Sequence, residues 1–260
     1  MDDVGREDDV RTSDPAAGES VGAPAERDVA GTASAPVTLV HLVRHGQVEN
    51  PGHVLYGRLP GWHLSALGRA MASLLGEYFA DVPLVHLRCS PLERAQETME
   101  PIASAHPAVP VITDERLIET ANVFEGQIFG PKVEALRHPG NWRHLYNPFR
   151  PSWGESYRAI AARMRAAIVD AARTVRDAAG ESGIGPAVGP VGPALGPVGE
   201  AVIVSHELPI WIARRDAEGR GFVHDPRRRQ CRLASVTTFT LAGDTVVKID
   251  YAEPARDLLP

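Results

Sequence analysis

The chain of 260 residues has little cysteine, almost no lysine and no long apolar run. Two cysteines, Cys89 and Cys231, are too few for a disulfide framework, so a reducing, cytoplasmic setting is expected. No stretch reaches the length of apolar sequence that a membrane-spanning helix needs, about 18 residues. The first thirty residues also lack the basic start and apolar core of a secretory leader. Lysine occurs twice against 25 arginines, which, with abundant alanine, glycine and proline, is the composition expected of a GC-rich bacterium. Residues 1–30 hold nine acidic residues and three arginines, and so carry the whole formal net charge of −6. The remainder balances to zero, which gives no electrostatic reason for a nucleic-acid or membrane partner.

What is present reads as one ordered domain from residue 37 to 260. Residues 1–36 are acidic and rich in Ala, Gly, Ser and Pro without a hydrophobic period, so a disordered tail is expected. A flexible insert is expected at 180–199, where the run GIGPAVGPVGPALGPVG is too rich in proline for helix or strand ladders. Its irregular spacing excludes a collagen triplet. Between these, VTLVHLV (37–43) and AVIV (201–204) read as buried strands. Residues 84–87 and 109–112 read as shorter strands. Residues 234–240 and 245–249 form a hairpin about Gly243-Asp244. Ser65 is placed to cap a helix running to Phe79, Pro91 to start a second, and a third begins near Glu155. Strands alternating with helices predict an α/β layered domain with a mostly parallel sheet.

In such sheets ligands gather beyond the carboxyl ends of the strands. Three polar clusters fall there: Arg44-His45-Gly46, Ser90 with Glu93-Arg94, and Ser205-His206-Glu207. Two histidines and two arginines converging on one volume suit a phosphoryl dianion, because guanidinium offers paired donors to its oxygens. Ser90 is expected to cap its helix rather than bind phosphate.

LVRHGQ (42–47), SPLERAQET (90–98), RLIE (116–119), FEG (124–126) and VSHE (204–207) resemble, in order and approximate spacing, the histidine phosphatase superfamily, the phosphoglycerate-mutase-like group. The resemblance implies a three-layer α/β/α sandwich with a small cap, placed at about 119–157. It implies His45 as nucleophile, forming a phosphohistidine. Arg44, Arg94 and His206 would hold the equatorial oxygens. Glu119 resembles the family's proton donor, with Glu125 and Glu207 as competing carboxylates, Glu207 standing where glycine is common. Asn50 and Arg58 fall where family members contact phosphate or substrate. The scheme requires no metal and no cofactor.

His41 and His45 share a spacing that chelates metal on a helix. On a strand the two lie about 13 Å apart, so the strand reading removes the metal reading. The aromatic, basic stretch 141–157 corresponds to the cap and is expected to shape specificity, while Arg227-Arg228-Arg229 is expected to be a solvated run. The predicted activity is phosphomonoester hydrolysis of a small phosphorylated metabolite. Phosphoglycerate-mutase-type phosphotransfer is one alternative, and a non-catalytic phospho-ligand binding or regulatory protein is another. Neither the substrate nor the oligomeric state can be read from the sequence.

Overall fold

A computed structural model describes residues 37–128, 154–181 and 199–259. The expected acidic tail, the central part of the cap and the body of the Gly/Pro insert lie outside these residues. Residue 180 belongs to a helix, so the ordered chain runs further into the predicted insert than composition suggested.

One six-stranded mixed sheet organises the domain: β1 (Val37–Arg44), β2 (Leu84–Cys89), β3 (Val111–Thr113), β4 (Glu200–Ser205), β5 (Val236–Ala242) and β6 (Thr245–Ala252). The spatial order is β3-β2-β4-β1-β5-β6. The pairings of β2 with β3, β2 with β4 and β1 with β4 are parallel, while β1 with β5 and β5 with β6 are antiparallel. Gly243 turns the β5–β6 hairpin with φ of 57°, a conformation that costs glycine nothing.

Helices cover both faces, because the central strands are apolar on both. In β4, Ala201 and Ile203 pack among Ile160, Met164 and Ile168 of α3 (Tyr157–Glu181) and Ile210 and Ile212 of α4 (Glu207–Ala217). The alternate residues Val202 and Val204 pack among Met71 and Leu75 of α1 (Ala66–Phe79) and Met99 and Ile102 of α2 (Glu93–Ala105). All of β4 is buried, as a continuous apolar strand requires. The result is the three-layer sandwich.

Local chemistry sets most boundaries. Ser65 caps α1 through its side chain, which accepts from the Gly68 amide. Two expectations differ. Pro91 lies before α2, whose N-cap is Leu92 and which carries Pro101 inside it. The helix α4 directly after His206 has too mixed a face for its period to be read. Among the described residues, no helix is long and apolar enough to cross a membrane.

Candidate active site

Strand register brings the two key histidines together. Arg44 at the end of β1 pairs with Ser205 at the end of β4. The ladder continues one step, from the His45 amide to the Ser205 carbonyl at 3.2 Å, so His45 and His206 leave neighbouring strands side by side. Their ring centroids are 5.2 Å apart. β2 flanks β4 on the other side, and the Ser90 amide donates to the Val204 carbonyl at 3.0 Å. Three strand ends thus deliver Arg44-His45, Ser205-His206 and Ser90 to one place.

The loop behind His45 is fixed by close approach. A Cβ on Gly46 would meet the Gly68 carbonyl oxygen at 2.6 Å, and one on Gly68 would meet the Gln47 carbonyl oxygen at 2.0 Å. The Gly46 amide donates to Thr98 Oγ1 at 3.1 Å, tying this loop to α2. His45 Nδ1 lies 2.7 Å from its neighbour's carbonyl at Gly46, and a carbonyl can only accept. The proton therefore sits on Nδ1 and the lone pair on Nε2. Burial pushes the His45 pKa well below its usual value, with Arg94 and then Arg44 adding to the effect. His206 is held down in the same way, by burial first and then by its charged and titratable neighbours. Both imidazoles are neutral at pH 7.

Arg94 is fully buried on α2. Its Nη2 donates to the Gly57 carbonyl at 2.6 Å, and its guanidinium carbon stands 4.7 Å from the Tyr56 ring centroid. Among the described residues Nε and Nη1 have no partner, nor do Arg44 Nε and His206 Nδ1. Unsatisfied buried donors are costly, and here three guanidinium N–H groups, with the His206 Nδ1 atom, lie about a lone-pair nucleophile. An anion with several acceptor oxygens would satisfy them.

Beside His45 opens a cavity of about 420 Å³, lined among others by Arg44, His45, Tyr56, Glu119, Thr120, Asn122, Tyr157, Glu207 and Arg229, with the fully buried Arg94 and His206 behind this lining. Glu119 accepts from the Thr120 amide at 2.8 Å, which favours its charged form. Burial outweighs that bond and raises its pKa above the usual carboxylate value. Glu207 differs: its carboxylate pairs with Arg44 Nη2 at 3.0 Å and with Arg229 Nη1 at 3.2 Å. Two guanidiniums thus hold its two oxygens, which suits an anchor. Glu125 does not line the cavity; it accepts from the Asn122 amide at 3.1 Å.

Three expectations are not met in the way the sequence suggested. Both ends of the Asn50 amide are spent on Val54, donating to its carbonyl and accepting from its amide at 2.9 Å each, and Asn50 is not a lining residue. Arg58 does not line the cavity either. It donates to the Glu119 carbonyl at 2.6 Å and pairs with Glu155 at 3.0 Å, so it holds the acid's backbone rather than a ligand. Ser90 does not cap α2 through a normal bond, since its Oγ stands 3.5 Å from the Leu92 amide but 2.7 Å from His206 Nε2. The arginine run divides: Arg227 and Arg228 are exposed, while Arg229 lines the cavity. Sequence reasoning passed over Tyr56, Thr120, Asn122 and Glu155; only nearness to RLIE and FEG could have signalled two of them, Thr120 and Asn122.

His41 lies on β1 with Nε2 on Glu200 at 2.5 Å and Nδ1 on Thr238 at 2.9 Å, apart from the His45 cluster. Among the described residues no three His, Cys, Asp or Glu side chains group closely enough to hold a metal ion.

Residues 40–179 match the family described as the histidine phosphatase superfamily (branch 1). A Mycobacterium tuberculosis protein carrying the name "Uncharacterized protein Rv0525" is 49% identical over 218 residues, 84% of this chain and 97% of its own. The native structure of a mycobacterial glucosyl-3-phosphoglycerate phosphatase superposes with a TM-score of 0.56 at 22% identity, covering 84% of this chain and 98% of that one. A phosphoglycerate mutase from Bacillus anthracis gives 0.58 at 18% identity, covering 86% and 96%. At these identities the two structures establish a shared fold.

Proposed function

The chain belongs to branch 1 of the histidine phosphatase superfamily, and from that premise we propose that it hydrolyses phosphomonoesters of small metabolites through a phosphohistidine. Uncatalysed hydrolysis of such esters is so slow that enzymes supply up to about 10²¹ in rate, and no single group can do that. His45 Nε2 attacks phosphorus in line with the ester oxygen. The N–P bond forms as the P–O bond breaks, and the leaving oxygen takes the proton of Glu119. Arg44, Arg94 and Nδ1 of His206 stabilise the equatorial oxygens as charge builds on them. Water then attacks phosphorus and gives its proton to the ionised Glu119. The N–P bond breaks, and orthophosphate leaves with Glu119 protonated again.

The observation that carries this reading is the bond from His45 Nδ1 to the Gly46 carbonyl, which frees Nε2 beside three buried guanidinium N–H groups that lack partners among the described residues. The raised pKa of Glu119 supports its part, since an acid must still hold its proton when the ester arrives. None of these steps calls on a metal ion. Phosphate release from an aryl phosphate in the presence of EDTA tests the proposal, comparing the wild type with His45→Ala. Turnover that disappears in the variant, with an acid-labile, base-stable phosphoryl label on the wild type, is the expected result. Equal turnover by the two proteins would remove His45 as nucleophile. Isomerised product from a phosphoglycerate and a bisphosphoglycerate primer would replace hydrolysis with phosphotransfer.

A further inference from the structure

Ser90 follows β2 directly and is fully buried. Its Oγ lies 2.7 Å from His206 Nε2 and 3.5 Å from the Leu92 amide nitrogen. The amide can only donate, so it faces an Oγ lone pair. Of the Oγ contacts, only His206 Nε2 can then accept the hydroxyl proton. A neutral imidazole carries a single proton, so a ring that accepts at Nε2 carries that proton on Nδ1. Nδ1 of His206 is buried without a partner among the described residues, in a ring 5.2 Å from that of His45.

We propose that Ser90 is a positioning residue that donates its hydroxyl proton to His206 Nε2 and thereby holds His206 as the Nδ1–H tautomer, ready to donate to a phosphoryl oxygen. The opposite tautomer fails twice. It would leave the Nδ1 lone pair facing the anion, and it would strand the serine proton without its acceptor. A wrong tautomer costs an active-site imidazole its role even where its position is kept. The tautomer itself does not depend on the phosphatase reading; its catalytic consequence rests on it.

The test is a long-range ¹H–¹⁵N correlation spectrum of the imidazole rings in the labelled, ligand-free full chain at neutral pH. His206 is identified by the signals lost in His206→Gln. A protonated Nδ1 with an unprotonated Nε2 is expected in the wild type. In Ser90→Ala the ring shifts towards Nε2–H, and kcat/KM on an aryl phosphate falls on the order of ten- to a hundredfold, as for a lost hydrogen bond to a charged group. Ser90→Thr, which keeps the hydroxyl, restores both. Nε2 protonation in the wild type overturns the proposal without any variant having to fold. An unchanged tautomer in Ser90→Ala overturns it equally and leaves Ser90 a packing role. The expected tautomer in a wild type that releases no phosphate sinks the phosphatase reading alone.

Discussion

Arg44, the last residue of β1, and Glu207, the first residue of α4, form an ion pair 3.0 Å long in the wall of the cavity. Arg229 joins the same carboxylate from the other side, and the Arg44 Nη1 donates to the Cys231 carbonyl at 2.6 Å. Glu207 is thereby spoken for, while burial raises the pKa of Glu119 above the usual carboxylate value.

The division of labour is measurable with leaving groups. Glu119→Gln is expected to lower kcat/KM, which reads transfer to His45, by about 10²–10⁴ on alkyl phosphates and far less on aryl phosphates, which need no acid; kcat on both also falls as the water step loses its base. Glu207→Gln changes both rates by the same factor, within about tenfold, because a partly exposed ion pair contributes about 1 kcal/mol or less. A leaving-group-dependent loss in Glu207→Gln would reverse the assignment. The sign of the pH effect follows: an acid with a raised pKa sustains alkyl phosphate turnover to higher pH than an ordinary carboxyl, with activity falling as pH rises through that pKa.

Arg94→Lys keeps the charge and loses the fork. Nη2 bonds the Gly57 carbonyl while Nε and Nη1 have no partner among the described residues, an arrangement that a point charge on a flexible stem cannot reproduce. Loss of two charge-assisted bonds predicts a drop of about 10²–10⁴ in kcat/KM. Product inhibition by orthophosphate should weaken in parallel.

Arg58→Ala removes the bond to the Glu119 carbonyl and the pair with Glu155, which is also held by Arg163 at 2.8 Å. Because Arg58 stands behind the acid, its loss should copy Glu119→Gln in kind, with alkyl phosphates hit harder than aryl ones, but in smaller degree. Equal loss on both classes, or a change confined to KM, would instead return Arg58 to ligand binding.

Gly68→Ala tests the close approach of α1 to the nucleophile loop. The added Cβ would sit 2.0 Å from the Gln47 carbonyl oxygen, which is backbone and cannot swing aside. Overpacking of this kind costs about 1–3 kcal/mol, or about 2–12 °C in Tm for a domain of this size. Calorimetry reads the shift. Activity should fall further than stability explains, since relief of the clash displaces Gly46 and His45.

His86 on β2 is 4% exposed, and its Nε2 has no partner among the described residues. Burial and then Arg88 lower its pKa to about 4, against a smaller opposing effect from Asp114. The unfolded chain takes up this proton near pH 6.5 and the folded chain only near 4, so stability falls as pH drops through that window and is fully present above it. Tm measured at pH 7.5 and 4.5 should diverge less in His86→Gln than in the wild type; His45 and His206 add to the slope with the same sign.

The sequence by itself determined the layers and the strand ends. A strand as apolar as AVIV has no polar face to turn outwards, so it must lie central with helices on both sides, and its polar successors Ser205-His206 must emerge at the sheet's carboxyl edge. Ordered motifs were legible for the same reason, because they sit where local structure is strongly specified. Only the tertiary structure decided what each side chain touches. Arg58 turned to Glu119 and Glu155 and Ser90 to His206, through contacts between segments far apart in the chain that no local pattern encodes, while Asn50 closed a local turn onto Val54. The same holds for the two carboxylates: Glu119 and Glu207 are equal as residue types. Their environments separate them, one pushed towards its neutral form by burial and the other clasped by two arginines. Desolvation and pairing are properties of a packed site, and they exist only once strands, helices and loops have met.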